Sequence, residues 1–114
     1  MQLKDYPAAI AAKQRLLHTQ ELGIRDLQSQ LDQLTARIER TIAFDDSLKN
    51  DAQRKARRAE LMELEEYQDT LAALQNFQDE KALIEIDLQL LRNQFSVLKL
   101  ELRQSIAQTE LQAA

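Results

Sequence analysis

Residues 83–102 read LIEIDLQLLRNQFSVLKLEL, and the fold turns on how their apolar positions repeat. With Lys81, Leu88, Phe95 and Leu102 at heptad position a, position d holds Ile84, Leu91 and Leu98. Alternating steps of four and three make this a coiled-coil seam. A second apolar set, Leu83, Ile86, Leu90, Val97 and Leu100, falls at c and f, on the side of the helix away from that seam. Polar residues (Glu85, Asp87, Gln89, Arg92, Gln94, Ser96, Lys99, Glu101) fill b, e and g between the two stripes. A surface helix needs one apolar stripe, so a helix with two is expected to be covered on both sides. Leaving the five c/f residues in water forgoes roughly 1.5–3 kcal/mol each, on the order of 7–15 kcal/mol per chain. Association costs about 4–15 kcal/mol, which two copies of the stripe would offset. The expectation is therefore a homo-oligomer interface at Leu83, Ile86, Leu90, Val97 and Leu100; the alternative is that the helix folds back on its own chain. Charged residues in every turn argue against a membrane span.

Composition supports long helices. The 114 residues hold one glycine, Gly23, and one proline, Pro7, where an ordinary globular chain has about 7% and 5%. Turns draw heavily on those two residues, so few turns are expected. Leu, Ala, Gln, Glu, Lys and Arg, all strong helix formers, dominate. A single domain is expected at this length. The absence of cysteine excludes disulfides and thiolate metal sites. No apolar leader opens the chain, and the expected location is the cytoplasm. A net charge of -4 favours no particular class of partner.

Working outward from the central stretch, the first helix is expected over residues 6–44. Asp5 is its candidate cap, and Pro7 sits in the first turn, where its missing N–H costs nothing. Ile10, Leu17, Ile24, Leu31 and Ile38 mark a; Leu27, Leu34 and Thr41 mark d. The pattern runs across Gly23, which predicts a continuous helix at a cost of about 1 kcal/mol against alanine; the alternative is a short first helix ending there. The pattern fails at Asp45–Asp51, the one cluster of turn formers. Asn50 or Asp51 is positioned to cap a second helix over 51–111. The fold class is thus all-α, a long antiparallel coiled-coil hairpin. In the second helix the step Leu71–Leu74–Phe77 is three plus three, which predicts local overwinding, with Tyr67 packing at its edge.

Folding that hairpin about Ser47–Leu48 sets Leu31 level with Leu64, Ile24 with Leu71, Leu17 with Gln78 and Ile10 with Glu85. The first helix then runs out near Gln89, and about 20 residues overhang, the most apolar of the chain. Two overhangs joined antiparallel would bury them in a four-helix region.

The hairpin tip is basic. Lys49, Arg54, Lys55, Arg57 and Arg58, offset by Asp51, leave residues 49–58 at +4 and the remaining chain at -8. These five are candidate contacts for phosphate, nucleic acid or a protein partner. Against that, the arginines have Glu39, Asp45 and Asp46 within reach across the tip and no interleaved aromatics for base stacking. Pairing of the arginines with these carboxylates across the tip is the expected arrangement. His18 lacks a His or Cys partner at helical spacing, and no metal site is expected. The carboxylates Glu63, Glu65, Glu66, Asp69, Asp79 and Glu80 read as a solvated face, since catalytic pairs need a concave, water-poor site. No catalytic residue, cofactor or phosphate loop is indicated.

Two segments, LKNDAQRKARRAEL (48–61) and LRNQFSVLKLEL (91–102), resemble segments of short coiled-coil proteins encoded in phage and mobile-element replication or recombination modules. The resemblance covers about a quarter of the chain and rests on helix-forming composition. It implies an accessory role near DNA and carries over no catalytic residue. The sequence as a whole points to a non-enzymatic interaction or scaffold protein that self-associates through the second half of its second helix. The alternative is a nucleic-acid-associated accessory factor acting through the basic tip.

Overall fold

The run of helix formers that begins at Tyr6 ends where Asp45 and Ser47 offer the backbone other hydrogen bonds. The computed structural model, which describes residues 1–113, accordingly is all-α. A 3-10 turn at Leu3–Asp5 leads into α1, Tyr6–Ala43; α2 follows at Asp51–Met62 and α3 at Glu65–Ala113. No strand is present among the described residues. Helices α2 and α3 return antiparallel to α1, making a helical hairpin. Asp5 does not cap α1 as expected; its carboxylate accepts from the Gln2 N–H at 2.8 Å and closes the 3-10 turn. At the end of the loop between α1 and α2, Asn50 caps α2, its Oδ1 accepting from Gln53 N at 2.9 Å. Gln53 in turn accepts from the Lys49 N–H at 2.6 Å, so one orphan amide of α2 and the amide just ahead of its cap are both satisfied.

Two compact units make up the chain: residues Gln20–Glu80, and Met1–Thr19 together with the chain from Lys81 onward. In the first, Leu34, Ile38, Ile42 and Leu74 are buried. The α1 seam passes from Ile38 to Ile42, not to Thr41 as the heptad count predicts; Thr41 is exposed and its hydroxyl donates back to the Arg37 carbonyl at 3.0 Å. Gly23 lies inside α1, which is continuous across it. The Phe77 ring packs against it so closely that a methyl group there would meet Phe77 Cδ1 at 2.7 Å and Cε1 closer still.

The expected second helix over 51–111 is broken at Glu63–Leu64. The reason is seam phase. Along α3 the heptad runs unbroken from Tyr67 and Thr70 through Leu74, Phe77, Lys81, Ile84, Leu88, Leu91, Phe95 and Leu98, all buried or half-buried. One further heptad toward the N-terminus would put Glu60 and Glu63 in the seam. The break rephases the chain so that Leu61 and Met62 are half-buried and both glutamates are exposed. Gln68 accommodates it, its Nε2 donating to the Met62 carbonyl at 2.8 Å. The overwinding expected at Leu71–Phe77 is therefore not needed: Tyr67 and Thr70 hold the seam positions, and Leu64, expected level with Leu31 in the seam, is exposed instead.

In the second unit Tyr6, Ile84 and Leu88 are buried. Lys13 Nζ meets Asp87 Oδ2 at 3.3 Å, and the Tyr6 ring stacks on Phe95 with centroids 5.7 Å apart and planes within 6°. Lys99 Nζ lies 4.4 Å from the centroid of the same Phe95 ring, a cation–π contact. This pairing shifts the expected register: Tyr6 covers Phe95, and Leu91, Phe95 and Leu98 are half-buried under the start of the chain. The uncovered overhang consequently begins after Leu98, not after Gln89. A simple hairpin pairs residues that the turn and the helix break absorb.

Candidate interaction surface

Helix α3 carries the first candidate surface. Its a/d seam faces α1, so residues at c and f of the same heptad lie on the far side of the helix. Leu83, Ile86, Leu90, Val97 and Leu100 all stand there, each 53–63% exposed. All five expected interface residues thus share one face, and each is left more than half open. Beyond Leu98, Leu102, Ile106 and Leu111 are exposed as well. Asn93 occupies the gap in the stripe, between Leu90 and Val97. Its Oδ1 accepts from Gln89 Nε2 at 2.9 Å, one turn away. Beside it lies a shallow depression lined by Met1, Tyr6, Asn93, Gln94, Val97 and Leu98.

The tip of the hairpin carries the second. The loop folds around Asp45, whose Oδ1 accepts from Ser47 N at 2.9 Å and from the Ser47 hydroxyl. These hydrogen bonds, first the hydroxyl and then the amide, hold the Asp45 carboxyl below its ordinary pKa, with Arg57 adding a smaller electrostatic pull. Arg58 reaches across to Glu39 with two hydrogen bonds, Nε to Oε1 at 2.6 Å and Nη2 to Oε2 at 3.1 Å. This paired geometry lowers the Glu39 pKa and raises that of Arg58. Arg54 pairs with Asp51 at 2.9 Å and Arg57 with Glu60 at 3.0 Å, both within α2. Of the expected cross-tip pairs only Arg58–Glu39 forms; the other two arginines use carboxylates one turn away. Lys49 and Lys55 carry no ion pair among the described residues.

Phe44, expected at the end of the first helix, lies one residue beyond α1, and its side chain is 83% exposed beside the turn. It immediately precedes the turn cluster and lies off the heptad count, which marks it in the sequence. A cleft of about 120 Å³ at the helix break, floored by Leu34, Ile38, Leu61 and Tyr67, was equally invisible because the break was. His18 is exposed on α1. No helix among the described residues is long and apolar enough to cross a membrane. No family model matches the chain, and neither a curated protein nor a solved structure matches it.

Proposed function

We propose that this protein is a non-enzymatic coiled-coil interaction protein that assembles with itself through the outer face of α3. The observation that carries this is the second apolar stripe, Leu83, Ile86, Leu90, Val97 and Leu100, left open on a helix whose other face is already packed. Since each side chain is a little over half exposed, the surface still to be covered is worth about 4–8 kcal/mol per chain, or about 8–16 kcal/mol for two. That is comparable to the roughly 4–15 kcal/mol that association costs. The assembly is therefore reversible, and its population depends on concentration. The basic tip supports a nucleic-acid role less well, because Arg54, Arg57 and Arg58 each already face a carboxylate of their own chain.

Changing Val97 and Leu100 to Glu tests this. Neither lies in the seam facing α1, so the hairpin is expected to stay helical, while two unpaired charges enter the self-contact. Light scattering at tens of micromolar is expected to give a dimer or larger species for the wild type and a monomer for the variant. A wild-type chain that is monomeric under those conditions and fully helical overturns the proposal.

A further inference from the structure

The outer stripe of α3 is a second heptad seam with a polar residue set into it. Leu83, Ile86, Leu90, Asn93, Val97 and Leu100 follow one another by steps of three and four. The same count continues through Gln104, Ala107 and Leu111 to the end of the helix. Steps of three and four are the spacing by which a helix receives another helix. The count ends at Asp79, one step before Leu83, which sets the N-terminal limit of the seam.

How fully the seam matches itself decides the orientation. We infer that two copies pair through this seam parallel and in register, with Asn93 facing its own counterpart and fixing that register. This rests on the self-association proposed above and specifies it. In a parallel, unshifted pair every seam residue meets itself: Leu83, Ile86, Leu90, Val97 and Leu100 form apolar layers, while Asn93 and Gln104 meet Asn93 and Gln104. Each Asn93 uses its oxygen toward Gln89, and its amide hydrogens remain available to the opposite carboxamide. A slip of one heptad sets Asn93 against Ile86 or Leu100 and strands a buried carboxamide, which such packing penalises. An antiparallel pair, whose layers join residues of the two alternating positions, sets Asn93 against Leu90, Val97 or Gln104; the last register joins the two polar residues but sets Leu83 past the end of the partner α3 and Leu90 on Ala107, so it covers less apolar surface than the parallel pair.

Flanking charges agree. Parallel pairing brings Ala82 near Asp87, Gln89 near Gln94, Ser96 near Glu101 and Arg103 near Gln108, with no like charges opposed. The antiparallel register that sets Asn93 against Val97 brings Asp87 close to Glu101. The alternative that sets it against Leu90 drives Gln104 toward Asp79 and leaves Ala107 and Leu111 unmatched. The parallel arrangement replaces the antiparallel joining of overhangs expected from the sequence, whose premise was an uncovered segment starting at Gln89.

The chain has no cysteine, so one introduced thiol reports orientation. Gln104→Cys lies on the uncovered part of α3 and is not required by the hairpin. Parallel in-register pairing places the two thiols in one layer, within the Cα separation of roughly 4.4–6.8 Å that a disulfide needs. Mild oxidation of the full chain is expected to convert the dimer to a covalent dimer. Asn93→Leu is expected to tighten association by about tenfold or more and to admit larger species, because the register-setting layer is lost. A wild-type dimer in which Gln104→Cys stays uncrosslinked overturns the parallel arrangement but leaves self-association standing. An Asn93→Leu variant with unchanged affinity and a single unchanged species overturns the role of Asn93. A monomeric wild type removes both this inference and the function it rests on.

Discussion

Gly23 shows how much one missing carbon controls. Glycine inside a helix costs about 1 kcal/mol relative to alanine, and Gly23 sits mid-helix with nothing in its backbone to require it. The Phe77 ring does require it, because it occupies the space a Cβ would take. Gly23→Ala is therefore expected to lower stability despite the better propensity, since overpacking costs about 1–3 kcal/mol. In a Phe77→Ala background the same change is expected to raise stability by about 1 kcal/mol. A urea-denaturation cycle over the four proteins measures that reversal of sign; equal effects in both backgrounds would show the ring is not the constraint. At the tip, the hydrogen bonds from Arg58 lower the Glu39 pKa from its ordinary value of 4.5. Their contribution is full above that value and is lost as pH falls through the lowered one. The stability difference between wild type and Glu39→Gln is thus expected to shrink in acid and to be flat at neutral pH. It will be small, as exposed ion pairs are.

At the scale of the element, the helix break is the informative feature. Two glutamates in the seam phase were enough to interrupt a helix that composition alone would continue. The first amides of α3, at Glu65 and Glu66, have no carbonyl one turn back within their own helix. They are expected to exchange with deuterium orders of magnitude faster than amides near Leu74 or Leu88, and a continuous zone of slow exchange from Asp51 onward would contradict the break. The extent of α1, the turn and the two-faced character of α3 were legible in the sequence, because each depends on a local signal: Asp45–Ser47 for the turn, apolar spacing for the faces. The break, the passage of the seam from Ile38 to Ile42 and the pairing of Tyr6 with Phe95 were not. Each depends on how many residues the turn absorbs and on the phase in which two helices meet, and repeating heptads fit several registers almost equally well. The exposure of Leu83, Ile86, Leu90, Val97 and Leu100 follows from their spacing, whereas Asn93 has no place in an apolar count.

For the whole molecule, the balance between covered and uncovered apolar surface sets the behaviour. Among the described residues seven side chains are nearly closed off from water, Tyr6, Leu34, Ile38, Ile42, Leu74, Ile84 and Leu88, and α3 alone leaves at least as many large apolar residues open. If assembly covers them, folding and association are linked, and the thermal midpoint is expected to rise with protein concentration. Scanning calorimetry or circular dichroism over a hundredfold range of concentration checks this. A midpoint independent of concentration is the expected behaviour of Val97→Glu, Leu100→Glu and would count against the proposal if the wild type shared it.

The Gly23–Phe77 contact has a consequence for how the chain finds its structure. A hairpin built on heptads can misalign by seven residues and still match apolar rows, so its commonest wrong answers are its own shifted copies. Shifted by a heptad, the Phe77 ring would arrive over Leu16 or Gln30, and each of those carries the Cβ that Gly23 lacks. The knob fits one hole along α1. What looks in the finished protein like a helix weakened by its glycine is, during folding, the notch that tells one alignment from its neighbours.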